Sequence, residues 1–328
     1  MNKIPVVLVC DKNFIMPTSV TITSLLDNKN SDTYYDIYIL GGDLDEEAQA
    51  AFKPLEKYGN CRITCIKRPL DRFSDIIQLA NISSAGLLKF EICDIITDYD
   101  KILYIDSDMI IREDLWKLYD ESDVSDCFFA AVIHSECIID GAKRINSGFI
   151  LFNAVRMRRD NMSEKLIQHR RALGNRKSMD QQTFNEVCGN HIKYLSPRYN
   201  CMPYRYMKEQ IPQYYTMDEF NSFYGTSYKN WKDAVKDAAV IHYITGNKPW
   251  IYNDVYCGDE WYGYYLKSQY GKKKLKRKGK LDRLKNISRK DGVSGVVEYY
   301  IKSPLRACYY SMRSLEFRKS KWIKNTWG

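Results

Sequence analysis

Six short strand-like runs punctuate the first half of this chain, residues 6–10, 35–40, 61–66, 101–105, 128–133 and 149–152, the first of them continuously apolar. A run that is apolar on both pleat faces reads as a strand covered on both sides, the pattern of parallel sheets held between helices. The segments between them have helical character. One helix is predicted to begin after Pro17, with Ile22, Leu25 and Leu26 on one face. A second, polar helix over residues 45–58 turns Ala48, Phe52 and Leu55 inward, and a third over 86–97 carries Leu87, Leu88, Ile92, Ile95 and Ile96. This alternation predicts an α/β fold: a Rossmann-like, mostly parallel sheet with helices on both faces. Such sheets bind ligands in loops at the carboxyl ends of their strands.

Beyond this, residues 156–173 read as a basic helix, 197–230 as a stretch rich in Tyr, Asn and Pro, and 238–243 as a short strand. Charge then divides the 328 residues. From 271 to 328 there are 18 Lys and Arg against 4 Asp and Glu, whereas the first 270 residues hold 32 against 37. The predicted organisation is therefore a mildly acidic domain over residues 1–270 and a basic tail over 271–328. Residues 272–290 are too polar to fold alone. Past Pro304, Leu305, Cys308, Tyr309, Met312 and Leu315 recur at helical spacing among Arg306, Arg313, Arg318, Lys319, Lys321 and Lys324. That pattern predicts a C-terminal helix lying on an anionic membrane surface.

Ten cysteines form no C-x-x-C pair, and Cys61 and Cys65 have neither a second cysteine pair nor histidines nearby, which argues against zinc and for reduced thiols. No stretch approaches the ~20 apolar residues that a membrane span requires, and the N-terminal apolar run is too short for a signal sequence. The expected location is cytoplasmic, peripheral on the cytoplasmic face of a membrane. The acidic body supplies no basic groove and no nucleic-acid-binding motif appears, so nucleic acid is not an expected partner. The 26 tyrosines suit sugar binding, since ring faces take pyranose C–H groups and the hydroxyl a hydrogen bond.

The chemistry concentrates where the fourth run stops, in Ile102-Leu-Tyr-Ile-Asp106-Ser-Asp108. In a regular strand, residues i and i+2 share a face, so both carboxylates can aim at one point. Two like charges buried together need a cation, and Mg²⁺ or Mn²⁺ on diphosphate oxygens is the natural one. His242 also ends an apolar run and would complete an imidazole–dicarboxylate set suited to Mn²⁺. Lys248, in Thr245-Gly-Asn-Lys248, would bring a cation to the phosphates, with Gly246 letting the backbone come close.

Five motifs in order then carry a resemblance: Val9-Cys-Asp-Lys-Asn-Phe14, Tyr104-Ile-Asp-Ser-Asp108, Ile145-Asn-Ser-Gly-Phe149, Met179-Asp-Gln-Gln182 and His242-Tyr-Ile-Thr-Gly-Asn-Lys-Pro-Trp250. From about residue 4 to 250 the chain resembles family 8 of the glycosyltransferases, the retaining group that includes lipopolysaccharide galactosyl- and glucosyltransferases and glycogenin. The resemblance implies a GT-A fold, a UDP-sugar donor, Mn²⁺ and retention of anomeric configuration. By position, Val9, Asp11 and Asn13 would lie at the nucleoside, with Phe14 stacked on uracil. Asp106, Asp108 and His242 would ligate the metal, and Lys248 would contact the diphosphate. Asn146, Ser147 and Asp180 would face the donor sugar, with Gln181 near the anomeric carbon.

A carboxamide is a poor nucleophile, so Gln181 favours same-face attack by the acceptor; a covalent intermediate would use a carboxylate such as Asp180. The acceptor expected is a surface glycan, lipopolysaccharide or other glycolipid, or a capsule-type polymer. One departure stands out. Family members from bacteria carry Tyr-x-Arg before the Asp-x-Asp strand, and here Ala85 and Leu87 occupy those places, leaving Lys89 to supply the charge. A weak or inactive nucleotide-sugar-binding protein is the alternative reading.

Overall fold

The computed structural model describes residues 1–76, 83–134, 143–174, 180–207, 216–280 and 282. A seven-stranded sheet forms its centre, in the order β3-β2-β1-β4-β7-β6-β8. The strands are β1 (Asn2–Val9), β2 (Thr33–Gly41), β3 (Cys61–Lys67), β4 (Lys101–Ile105), β6 (Phe129–Ile133), β7 (Ile145–Asn153) and β8 (Ile192–Tyr194). A second, two-stranded sheet pairs β5 (Met109–Ile111) with β9 (Val240–His242). β1, β2, β3 and β4 run parallel, while β7 runs against both β4 and β6, so β7 alone opposes the direction of the main sheet. The expected α/β, mostly parallel architecture is therefore present with one reversed strand. The reversal has a consequence for chemistry. It brings the start of β7, with Asn146 and Ser147, to the carboxyl ends of β1 and β4.

Alternate residues of each central strand feed opposite cores, as a period of two requires. Val6, Leu8, Leu103, Ile105, Phe149 and Leu151 pack on one side with Ile22 and Leu25 of the helix Ile15–Asp27. Val7, Ile102, Tyr104, Ile150 and Phe152 pack on the other with Ile92, Leu166, Ile167 and Phe184. All nine residues of β7 are buried, the burial expected of a strand covered on both faces.

The helices depart from the sequence reading more than the strands do. The first begins at Ile15, with Pro17 inside its opening turns, where a missing N–H costs nothing. The predicted helix over 45–58 is a five-residue α-helix, Glu46–Ala50, followed by a 3₁₀ segment, Lys53–Tyr58, with Pro54 among its first residues. That over 86–97 is a 3₁₀ segment, Ser84–Glu91, running into a single α turn, Ile92–Ile95. The basic helix over 156–173 is two helices, Ala154–Arg159 and Met162–Ala172, broken where Asn161 takes a left-handed conformation at φ 50°. Asparagine is among the residues that tolerate that region.

Residues 271–280 stay against the body: Lys278 exchanges backbone hydrogen bonds with Ile251 and Asn253, and the Arg277 guanidinium lies 4.2 Å from the Tyr262 ring centre. The predicted membrane helix through Leu305, Cys308, Tyr309, Met312 and Leu315 lies outside the described residues. Among the described residues, no helix is long and apolar enough to cross a membrane. The eight cysteines among them are free thiols.

Candidate active site and metal centre

Asp106, Ser107 and Asp108 do not continue a strand. They form the turn between β4 and β5, which belong to different sheets. The carboxylates converge because this turn is clamped, not because strand alternation aims them. Asp106 N–H donates to Gly148 O at 2.7 Å, and Ser107 Oγ donates to Val9 O at 2.9 Å. Thr21, from the buried face of its helix, donates to Met109 O at 2.8 Å and lies 3.0 Å from Ser107 O. Pairing of Met109 with His242 across β5 and β9 then carries the imidazole to the same point.

One ligand atom each from Asp106, Asp108 and His242 lies within 4.8 Å of the others. His242 Nε2 is 3.2 Å from Asp108 Oδ1 and 3.6 Å from Asp106 Oδ2. Two carboxylates and an imidazole match the donor preferences of Mn²⁺ and, less well, of Mg²⁺. The surroundings are shaped for that set. A Cβ on Gly148 would sit 2.5 Å from His242 Cε1 and 2.7 Å from Asp106 Oδ2, so the cluster closes only over glycine. These residues fit a divalent ion.

Two lysines flank the triad. Lys89 Nζ bridges Asp106 Oδ1 at 2.9 Å and Asp180 Oδ2 at 2.7 Å, beside the Tyr104 ring. Burial alone would lower its pKa, but Asp106 and Asp180 hold it well above the ordinary lysine range. Lys248 Nζ donates to Asp108 Oδ2 and, at 2.7 Å, to Tyr243 O. Burial would raise the Asp108 pKa, yet Lys248 and His242 hold it well below the carboxylate range. Tyr104 OH donates to Asp106 Oδ1 at 2.5 Å, and burial followed by that carboxylate pushes the phenol well up.

The sequence reading gave the place of the missing arginine to Leu87 and its charge to Lys89. Leu87 is buried in the apolar cluster under the sheet. The side chain that this segment sends to the site is Lys89, so the site keeps its cation.

The remaining sequence-derived residues gather at the same end of the sheet. Ser147 Oγ donates to Asp180 Oδ2 at 2.9 Å, and Asn146 Nδ2 to Gln181 Oε1 at 3.0 Å. Asp180 and Gln181 open the helix Asp180–Cys188. After β1, Asp11 Oδ1 accepts from Asn13 N–H at 2.8 Å, folding the loop so that Phe14 meets Trp250 edge-on at 5.7 Å. Lys248 Nζ lies 5.8 Å from the same indole. Gly246 has open space around it, and the left-handed residue in that loop is Thr245, at φ 75°.

Three participants carry no signal of their own in the sequence. Asn200, fully buried, sits 2.9 Å from His242 Nδ1 and donates to Asn146 Oδ1 at 2.8 Å. It lies in a stretch without charge pattern or period. Trp250 and Gly148 are legible only as members of motifs.

Comparison with known proteins agrees with this geometry. The description "Glycosyl transferase family 8" matches residues 5–254. The chain is 22% identical over 274 residues to General stress protein A of Bacillus subtilis, covering 80% of this chain and 92% of that protein. It is 24% identical over 258 residues to lipopolysaccharide 1,3-galactosyltransferase of Salmonella typhimurium, covering 73% and 71%. Other relatives are much longer, and the match takes in as little as 29% of their length. The galactosyltransferase LgtC, solved in complex with donor and acceptor sugar analogs, superposes with a TM-score of 0.66 at 21% identity over 81% of this chain and 96% of that one. The fold is accordingly the α/β GT-A fold, and the chain belongs to glycosyltransferase family 8.

Proposed function

We propose that this glycosyltransferase moves a hexose, glucose or galactose, from a UDP-sugar to a surface-glycan, lipopolysaccharide or capsule-type acceptor, with retention of anomeric configuration. The observation that carries the reading is the convergence of Asp106, Asp108 and His242 between two lysines at the carboxyl end of the sheet. Those three residues would hold Mn²⁺ or Mg²⁺, which when bound supplies positive charge to the diphosphate as it leaves. Lys248, which contacts Asp108, would trade that contact for a phosphate oxygen. Val9, Asp11 and Asn13 would take the nucleoside, and the Phe14–Trp250 pair offers an aromatic edge to uracil.

At the sugar, Asn146, Ser147 and Asp180 are the polar groups facing inward. Asp180 accepts from Lys89 and Ser147 through one oxygen, so its charge is already engaged. Gln181 is held by Asn146 and is no nucleophile. Both facts favour attack by the acceptor hydroxyl on the face the phosphate leaves, with that phosphate taking the proton. NMR of the first product formed from UDP-galactose or UDP-glucose tests this: the anomeric configuration of the donor should be kept, and inversion would remove the mechanism. Turnover of neither donor would favour a sugar-binding protein without activity.

The acceptor class follows the name of the Salmonella relative, and the basic tail gives a reason for the enzyme to work at a membrane. Each Lys or Arg near an anionic surface contributes about 1 kcal/mol, so part of the 18 in residues 271–328 suffices. The chain should sediment with anionic liposomes at low salt and be released as the Debye length falls from ~10 Å at 0.1 M to ~3 Å at 1 M. A chain ending at Lys280, which keeps 7 of those 18 residues, should sediment markedly less than the full chain. Equal sedimentation of both would end the docking proposal.

A further inference from the structure

We propose that Asn200 is a positioning residue for the metal centre: it fixes which nitrogen of His242 carries the proton and so keeps Nε2 available as a ligand. This rests on the metal reading given above and adds to it a fourth residue that touches neither carboxylate.

One backbone group beside the triad has a role with no alternative. Gly148 N–H can only donate, and it donates to Asn146 Oδ1 at 3.0 Å. That oxygen therefore faces Asn200, whose Nδ2 donates to it at 2.8 Å. The other end of the Asn200 amide is then its oxygen, 2.9 Å from His242 Nδ1. An amide oxygen only accepts, so Nδ1 carries the hydrogen. Nε2 is left to point its lone pair between Asp106 and Asp108, the form a metal needs. Metal-bound histidines as a class are oriented by such a partner on the second nitrogen.

The fold holds this relay rigidly. Cys201 bridges to Ile241, with Cys201 N–H donating to Val240 O at 2.9 Å and His242 N–H to Cys201 O at 2.7 Å, which locks Asn200 beside the imidazole. Asn200 has no exposed surface and His242 is 4% exposed, so water does not compete for these bonds. The relay also reaches the sugar side of the site, because Asn146 uses its Nδ2 on Gln181. Asn146 thus serves the metal ligand and the proposed reacting centre at once.

The test is Mn²⁺ affinity, read from the EPR signal of free Mn²⁺ in the presence of UDP. The variants are Asn200→Leu, His242→Ala and the double variant, each checked for an unchanged unfolding temperature. Loss of an outer partner of this kind weakens metal binding about 10–100-fold, so Asn200→Leu should weaken Mn²⁺ binding by that much. In the His242→Ala background the same change should cost less than about twofold, as it must if Asn200 acts through the imidazole. Equal losses in both backgrounds would show a general packing role and overturn the proposal. So would an unchanged affinity in Asn200→Leu. If wild-type protein binds no Mn²⁺, the metal reading itself fails and takes this one with it. Should Asn200→Leu not fold, Asn200→Ala removes the same bonds without added bulk. As a metal-independent check, ¹⁵N-edited NMR should show a slowly exchanging Nδ1–H on His242 that Asn200→Leu or Asn200→Ala abolishes; a proton on Nε2 alone would contradict the relay.

Discussion

Two of the clusters that bury carboxylates among the described residues solve the same electrostatic problem in opposite ways. On β2, Asp36 has no exposed surface and is saturated by donors. Arg62 takes both oxygens at 2.8 Å, Tyr99 OH donates at 2.5 Å, Tyr38 OH at 3.1 Å, and Lys3 stands 3.3 Å away. At the end of β4, Asp106 and Asp108 each give one oxygen to a lysine and turn the other toward a single imidazole nitrogen. The first cluster is closed by the protein itself. The second is built with acceptors left facing inward, and acceptors that face one another call for a cation. Burial alone therefore does not mark a site; unmatched oxygen does.

Substitution at the open cluster should give the largest effect on chemistry. Asp108→Asn is expected to leave the fold intact and lower transfer at least a thousandfold, about 4 kcal/mol of barrier. A loss under tenfold would mean that the open cluster is as structural as the closed one. Asp36→Asn should do the reverse. Breaking a wholly buried pair costs ~3–5 kcal/mol, and because Arg62 reaches the surface the expected loss of unfolding free energy is about 2–3 kcal/mol. Transfer per folded molecule should be unchanged, as chemical denaturation beside a UDP-release assay would show.

Lys89→Ala comes next. A charge-assisted contact is worth ~1.5–3 kcal/mol, so kcat/KM should fall roughly 10–100-fold. A change under about twofold would reduce Lys89 to a counter-ion for Asp180.

The smallest effect expected is on acid stability. Burial opposes the charge on Asp36, but Arg62, Tyr99 and Lys3 outweigh it and hold its pKa below the usual carboxylate value. A depressed pKa gives stability that is present above the unfolded value of about 4 and lost as pH falls toward the folded one. Wild-type stability should therefore drop below about pH 4 more steeply than that of Asp36→Asn. Parallel curves would show that Asp36 does not govern this step.

Seven of the nine strands described, and the triad, are legible in the sequence because their signals are local; β5 and β8, three residues each, are not. Four apolar residues ending in Asp106-Ser-Asp108 fix both a buried strand and where it stops, and residues 101–105 are observed unchanged as β4. What is not legible depends on the path of the chain between elements. The reversed direction of β7 follows from where the chain crosses the sheet, and no residue within 145–153 encodes it. Asn161 breaks a helix whose apolar spacing continues on both sides. That residues 84–91 form a 3₁₀ segment and not an α-helix is not visible in their apolar spacing either, although Lys89 itself is named from the sequence. Asn200 is the clearest case. It carries no charge and belongs to no spacing pattern, and its meaning comes from Gly148 and Asn146, more than fifty residues earlier.

The central claim is that Asp106, Asp108 and His242 make a metal-dependent donor site. Its most direct test is UDP release by the full chain from UDP-galactose and UDP-glucose after exhaustive EDTA treatment, followed by titration with Mn²⁺. Release from at least one donor should be absent in EDTA and restored in step with Mn²⁺ added, with no restoration in Asp108→Asn. Full UDP release in EDTA, or restoration in Asp108→Asn at the same Mn²⁺ concentration, would contradict the assignment.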